Sequence, residues 1–278
     1  MPTRDRAWSP GTPCWVDLGV SDLARSRTFY GALFGWDVPQ PCAETGGYAV
    51  CSLGGNAVAG LGQRVEGGAS VWSTYLSVED VDTAVVRAAR HGWQILAAAT
   101  DVAHLGRLAF GVDPTGAAYG LWQPRDLIGV ERHDEAGALA WHELMTRDRT
   151  VAEAFYGQVY GWQFEELGDE GSVTYASVRA EDGSVVCGVG SIEPGAATRS
   201  HWVAYFCVVD TDAAAARVVE LGGTVTFGPF DSPFGRVAVA AGPDSEVFCL
   251  LDAVGGHPLE LADADEGRPG RDAEDLLG

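Results

Sequence analysis

The 278-residue sequence predicts an α+β protein made of four βαβββ modules arranged as two tandem halves. Three observations carry this. First, Phe29-Tyr30-Gly31 with Gly35-Trp36 returns as Phe155-Tyr156-Gly157 with Gly161-Trp162, at a constant offset of 126 residues. Second, Trp15–Trp36 and Trp141–Trp162 align without a gap, with eight of 22 positions identical. Third, the register persists: Trp72, Tyr75, Val78 and Asp80 answer Trp202, Tyr205, Val208 and Asp210, and GRLAFGVDPTGAAYGLW (106–122) answers GRVAVAAGPDSEVFCLL (235–251). A match sustained over more than a hundred residues identifies a duplication.

The elements follow in order. Cys14–Val20 alternates as a half-buried strand does. Ser21-Asp22 supplies an N-cap, Leu23, Ser26, Phe29, Tyr30 and Leu33 fall at helical spacing, and Gly35 closes the helix. Strands Tyr48–Leu53 and Ala57–Gly62 flank the turn Gly54-Gly55-Asn56. The cycle restarts with strand Trp72–Val78 and a helix from Val81 to His91, ended by Gly92. Strands near Gln94–Ala98, Arg107–Val112 and Ala117–Trp122 complete the half, the last two joined by Asp113-Pro114-Thr115-Gly116. The repeat carries the same order into the second half. The resulting organisation is an N-terminal extension (1–11), a first domain (12–124), a polar linker (125–137), a second domain (138–252) and an acidic tail (253–278) expected to be loosely ordered.

Composition narrows the function. Net charge is −21, from 39 acidic and 18 basic residues, a field that repels phosphate backbones and anionic lipid; neither nucleic acid nor a membrane surface is expected as a partner. All the basic residues are Arg. With no Lys, Schiff-base chemistry, pyridoxal phosphate attachment and a P-loop are excluded. The N-terminus has no apolar signal-peptide core and no apolar run is long enough to span a bilayer, so a cytoplasmic protein is expected. The six cysteines, Cys14, Cys42, Cys51, Cys187, Cys207 and Cys249, are scattered without a C-x-x-C pair, as reduced buried thiols are. No nucleophile elbow, dinucleotide fingerprint or H-E-x-x-H is present.

A strand ending in V-x-D, a helix ending in F-Y-x-x-x-x-G-W and a D-P-x-G hairpin together resemble the vicinal oxygen chelate superfamily, the glyoxalase I, bleomycin resistance protein and extradiol dioxygenase group. The resemblance spans about 12–252. It implies mixed sheets curled into open half-barrels around a cavity, with the helices outside and the F-Y-G and G-W aromatics as core. It also implies a metal site: a His or Gln seven residues before the Asp that follows the first strand of a module, and a Glu on the closing strand. Carried over residue by residue, the first position gives Trp15, Ser73, Trp141 and Val203, and the second gives Gly120 and Cys249. Indoles and small residues do not ligate divalent ions, and no metal or other cofactor is expected. A one-residue register slip would turn His142 inward instead, and His142, His201 and Cys249 are then the alternative metal set.

If Trp15 and Trp141 face inward, so do Asp17 and Glu143 two residues on. Each carboxylate has three readings: a partner for a cationic ligand, a general base of raised pKa, or an acceptor for backbone or for Arg107 and Arg236. Tyr75 and Tyr205 share a face with Ser73 and Val203, and His201 reaches the rim. The expected function is metal-independent binding of a small aromatic or cationic molecule in an acidic, Trp-lined cavity, as in the antibiotic-sequestering branch. The alternative is an enzyme on a small organic substrate, a glyoxalase-like lyase or isomerase or a dioxygenase, using Asp17 and Glu143 or an unorthodox metal site. In either case the chain is a monomer or homodimer, since the duplication supplies a domain pairing internally.

Overall fold

The computed structural model describes residues 3–40, 46–167 and 175–252; Cys42, His257 and the acidic tail lie outside them. The first half runs β1 (Pro13–Val20), α1 (Leu23–Phe34), β2 (Ala49–Leu53), β3 (Asn56–Gln63), β4 (Trp72–Ser77), α2 (Val81–Arg90), β5 (Gln94–Val102), β6 (Gly106–Val112) and β7 (Ala118–Pro124). The second runs β8 (Leu139–Thr146), α3 (Arg149–Tyr160), β9 (Gln163–Glu166), β10 (Tyr175–Arg179), β11 (Val185–Ser191), β12 (His201–Cys207), α4 (Thr211–Glu220), β13 (Thr224–Ser232), β14 (Gly235–Ala241) and β15 (Val247–Asp252). Among the described residues no helix is long and apolar enough to cross a membrane.

Each module's first strand exits into a helix cap, through V-x-D in three modules and Thr146-Arg147-Asp148 in the third along the chain. Asp22, Asp80, Asp148 and Asp210 all hold extended backbone and accept from the amide three residues on, at Arg25, Thr83, Val151 and Ala213. That bond satisfies a donor the first helical turn leaves orphaned. Gly35 and Gly161 end α1 and α3 in the left-handed region, at φ 75° and 72°, where a Cβ would be strained.

The strands form two mixed, open sheets, ordered β2-β3-β1-β4-β7-β6-β5 and β13-β14-β15-β12-β8-β11-β10-β9. At the centre of each, the opening strands of two modules pair antiparallel, β1 with β4 and β8 with β12. The register sets Trp15 opposite Tyr75 and Asp17 opposite Ser73. The second half repeats it, with Trp141 opposite Tyr205 and Glu143 opposite Val203. Residues paired or two apart share a face, so each half turns a Trp, a carboxylate and a Tyr to the same side.

The helices lie outside each half-barrel, as the resemblance implies, and α1 and α3 each bury one face against the other half. Phe29, Tyr30, Phe34 and Trp36 belong to one cluster with Phe206, Phe248 and Leu250. Phe155, Tyr156, Val159 and Trp162 belong to another with Leu76, Tyr119 and Leu121. The repeated motif therefore works across the halves. Trp36 donates Nε1–H to the Gly137 carbonyl (2.5 Å) and Trp162 donates to Gly11 (2.9 Å), glycines that are themselves equivalent, at φ 84° and 81°. Tyr30 donates to Glu246 (2.7 Å) and Tyr156 to Asp113 (3.0 Å), each reaching the closing hairpin of the opposite half. Glu246 is wholly buried, and desolvation raises its pKa. Removing the Tyr30 hydroxyl leaves buried Oε1 without that donor, while Oε2 keeps the Asp244 amide (2.8 Å). Tyr30→Phe is expected to lose roughly 1–3 kcal/mol in urea unfolding, and a loss below the error of that measurement would count against this cross-half bond.

Candidate functional site

On the concave face, the first half gathers four side chains. Asp17 Oδ2 accepts from Tyr75 (3.0 Å) and Tyr48 (3.4 Å), and the Tyr48 hydroxyl accepts from Trp15 Nε1 (2.8 Å). The second half repeats the arrangement: Tyr205 donates to Glu143 Oε2, and Trp141 Nε1 donates to the Tyr175 hydroxyl at 3.0 Å. Tyr48 and Tyr175 escaped the sequence reading. Their signal was a repeated Tyr-Ala pair (Tyr48-Ala49, Tyr175-Ala176) together with the glycines of AVAGLG and VVCGVG. A Cβ on Gly60 would sit 1.7 Å from the Tyr48 hydroxyl, and one on Gly188 would sit 1.9 Å from that of Tyr175. The glycines are there to admit the phenols.

Burial controls the acids. Desolvation raises Asp17 to about 7, against the opposing pull of the Tyr75 and Tyr48 hydrogen bonds. Glu143 is also raised by desolvation, with Tyr205 opposing. The Arg partners considered for these carboxylates are elsewhere. Arg107 pairs with Asp82 and Asp101, and Arg236 with Asp212 and Asp231, all on the exposed side.

The halves differ in what fills the concavity. Leu108 of β6 lies opposite Trp122 of β7; the equivalent pair is Val237 opposite Leu251. Trp122 is buried, donates to the Leu127 carbonyl (2.9 Å) and packs in one cluster with Trp15, Tyr75 and Leu127. With Leu251 in place of that indole, the second half holds a partly open cavity of about 290 Å³, lined by Trp141, Glu143, Tyr175, Tyr205, Phe230, Phe234, Ser232, Val237 and Leu251. Five aromatic rings thus surround one carboxyl. Phe230 and Phe234 come from β13 and the turn after it, outside every motif that the repeat marked.

Of the remaining sequence candidates, Ser73 and Val203 stand on the concave faces opposite Asp17 and Glu143. Cys249 is buried beside Tyr205, its thiol raised to about 12 by desolvation. His201 is half-buried and its Nδ1 meets the Arg199 carbonyl at 2.8 Å. The register slip does not occur. Trp141 keeps the concave face, and His142 points to the back, where its Nδ1 meets Thr74 Oγ1 of the first half at 3.1 Å. His142, His201 and Cys249 are therefore not brought together as a ligand set. Among the described residues, no three of His, Cys, Asp and Glu gather as a metal group. The donor set at the family's ligand positions, indole, hydroxyl, glycine and a high-pKa thiol, does not fit a divalent ion.

An open half-barrel pair with the ligand positions turned to one concavity per half defines a vicinal oxygen chelate architecture. The comparisons agree: residues 14–119 match the model of the Glyoxalase/Bleomycin resistance protein/Dioxygenase superfamily, and residues 142–251 match the Glyoxalase-like domain. The chain belongs to this superfamily. It is 38% identical, over 90% of its length and 98% of the relative's, to a Mycobacterium tuberculosis protein named "Putative glyoxylase CFP32". It is 34% identical, over 92% of its length and 98% of the relative's, to the anthracycline biosynthesis protein DnrV of Streptomyces peucetius. Among solved structures, it resembles the Mn(II)-bound glyoxalase from Novosphingobium aromaticivorans (TM-score 0.61, 15% identity, 89% of this chain and 85% of that one). It also resembles a homoprotocatechuate 2,3-dioxygenase from B. fuscum (TM-score 0.63, 17% identity, 90% and 73%). At such identities these neighbours speak for the fold alone.

Proposed function

We propose that the protein binds a small aromatic organic molecule in the second-half cavity, without a metal, and holds it through a hydrogen-bond-donating or cationic group directed at Glu143. The observation that carries this reading is the convergence of five aromatic side chains on one carboxyl in a concave volume of about 290 Å³, the size and make-up of a small-molecule site. Aromatic faces attract both flat apolar rings and cations, and the Glu143 carboxylate, when ionised, repels an anion. The 34% identical relative named for anthracycline biosynthesis supports an aromatic ligand, since an anthracycline is a fused aromatic compound.

Three probes test it: 1-naphthol, 1-naphthylmethylammonium and 1-naphthoate, titrated by calorimetry. The first two are expected to bind, and naphthoate to bind at least about tenfold more weakly, roughly 1.4 kcal/mol. Phe234→Ala should weaken both binders, and Glu143→Gln should erase the preference against the anion. Equal affinities for all three, or indifference to both substitutions, would overturn the reading. Metal independence is tested separately by elemental analysis after exposure to Mn(II), Fe(II), Ni(II) and Zn(II). No near-stoichiometric retention is expected; retention would transfer the function to a metalloenzyme.

A second reading rests on Asp17, which titrates near neutrality beside two phenols and so has the pKa a general base needs. In that case turnover of a small carbon acid rises as pH passes through about 7 and disappears in Asp17→Asn. A flat pH–rate profile there would dismiss it.

A further inference from the structure

A second cavity, of about 300 Å³, lies where the N-terminal segment, the linker and β8 meet, and its lining includes Trp8, Thr12, His133, His142, Asp182 and Val186. Trp141, which also lines the concave cavity, stands between the two. Two of its lining side chains carry buried polar atoms with no hydrogen-bond partner, Nε2 of His142 and Oγ1 of Thr12, on residues 4% and 5% exposed. An unmet buried donor or acceptor costs about 1–3 kcal/mol, and native interiors rarely keep one without a reason.

The duplication shows that the fold does not require these groups. At the equivalent places in the repeat, His142 is matched by Val16, Thr12 by Ala138 and Thr74 by Ala204. The same back-face position is built from apolar residues on one side of the molecule and from a His and two Thr on the other. Packing alone is served by the apolar version. In the polar version His142 and Thr12 border a cavity, while Thr74 fixes His142 through Nδ1 (3.1 Å) so that Nε2 is the ring nitrogen left to act.

We propose that this junction cavity is a second binding site, for a small uncharged molecule that presents a hydrogen-bond donor and acceptor on one edge, as a lactam or amide does, to His142 Nε2 and Thr12 Oγ1, atoms with almost no accessible surface in this structure that a side-chain shift opens to the ligand. The class follows from what surrounds the pair. The charged groups of the lining are already engaged: Arg4 is stacked on Trp8 and bonded to the Arg6 and Ala7 carbonyls, Asp182 accepts from Ser9 and Ser184, and Asp134 meets His133 at 2.6 Å. An ion entering would be desolvated without a free counter-charge. Burial holds His142 at about 3, so it is neutral at physiological pH and offers a single donor or acceptor. Trp8, Pro13, Val130, Val185 and Val186 supply an apolar wall for the body of the ligand.

The test uses 2-pyridone, whose N–H and C=O lie on one edge, with N-methyl-2-pyridone as the probe lacking the donor. Binding is followed on the full chain through the imidazole ¹⁵N signals. Saturable perturbation of the His142 Nε2 resonance by 2-pyridone is expected, with N-methyl-2-pyridone at least about tenfold weaker. The triple variant Thr12→Ala, Thr74→Ala, His142→Val installs the repeat's own apolar residues and is expected to fold. It should lose 2-pyridone binding, whereas Phe234→Ala in the concave cavity leaves it unchanged. Three results would overturn the proposal: equal binding by the triple variant, loss on Phe234→Ala, or no perturbation by 2-pyridone with only an ordered water bridging Nε2 and Oγ1 in a crystal structure. Failure of the naphthalene probes would leave this site standing, so the two sites are separable.

Discussion

Asp17→Asn is expected to stabilise the protein at pH 8 and to lose that advantage as the pH falls towards 4. Desolvation raises the native carboxyl from its ordinary 3.8 to about 7, so the folded state holds the proton more tightly than the unfolded chain does. The stability that this contributes is complete below the unfolded value and disappears as pH rises through the folded one. Above about 7 the native state carries a partly buried charge, whose burden is at most roughly 4 kcal/mol. Asn removes that charge and still accepts from Tyr75 through Oδ1. A gain of roughly 1–4 kcal/mol at pH 8, narrowing between pH 7 and 4, is the expected pattern in paired denaturation curves. A variant less stable than the parent at pH 8 would show that Asp17 is well stabilised as a carboxylate, and the general-base reading would fail with it.

Trp162→Ala is expected to be the most damaging single change considered, at about 3–5 kcal/mol, with about 1 kcal/mol more for the lost bond to Gly11. The indole is stacked on Tyr156, with centroids 4.6 Å apart at 11°, and meets Trp202 edge-on. It is also the donor that ties the second half to the entry of the first. Since a domain is stable by only about 5–15 kcal/mol, such a loss is visible in any unfolding experiment. Trp162→Phe keeps part of the packing and should cost clearly less. If Ala and Phe cost the same, packing is not what the indole contributes. The equivalent change at Trp36, which donates to Gly137, should behave in the same way, and that symmetry is a further check on the exchanged contacts.

Much of this architecture is local and therefore legible in the sequence. Caps, left-handed glycines and strand alternation depend on neighbours a few residues apart. Asp22, Asp80, Asp148 and Asp210, with Gly35 and Gly161, could be placed before any coordinate was known. Period-two alternation also set Trp15 with Asp17, and Trp141 with Glu143, on common faces, and the duplication supplied the module order. The same reading found Tyr75 and Tyr205 but passed over Tyr48 and Tyr175. Those phenols enter the site from a second strand, through space left by Gly60 and Gly188, and an absent side chain gives a weak signal.

What only tertiary structure decided depends on contacts between distant segments. Nothing local distinguishes a carboxylate held by Tyr from one held by Arg, so Arg107 and Arg236 remained open partners until the sheets were assembled. The difference between the two concavities includes Trp122 against Leu251, a matter of volume that acts only once Leu127 of the linker has packed beneath the indole. Likewise, the sequence determined that two halves of one design exist and that His142, Thr12 and Thr74 depart from it. That His142 and Thr12 line one junction cavity, with Thr74 bonded to His142, was decided by the docking of the halves, because side chains 68 residues apart along the chain share an environment only after the apolar faces around them have been removed from water.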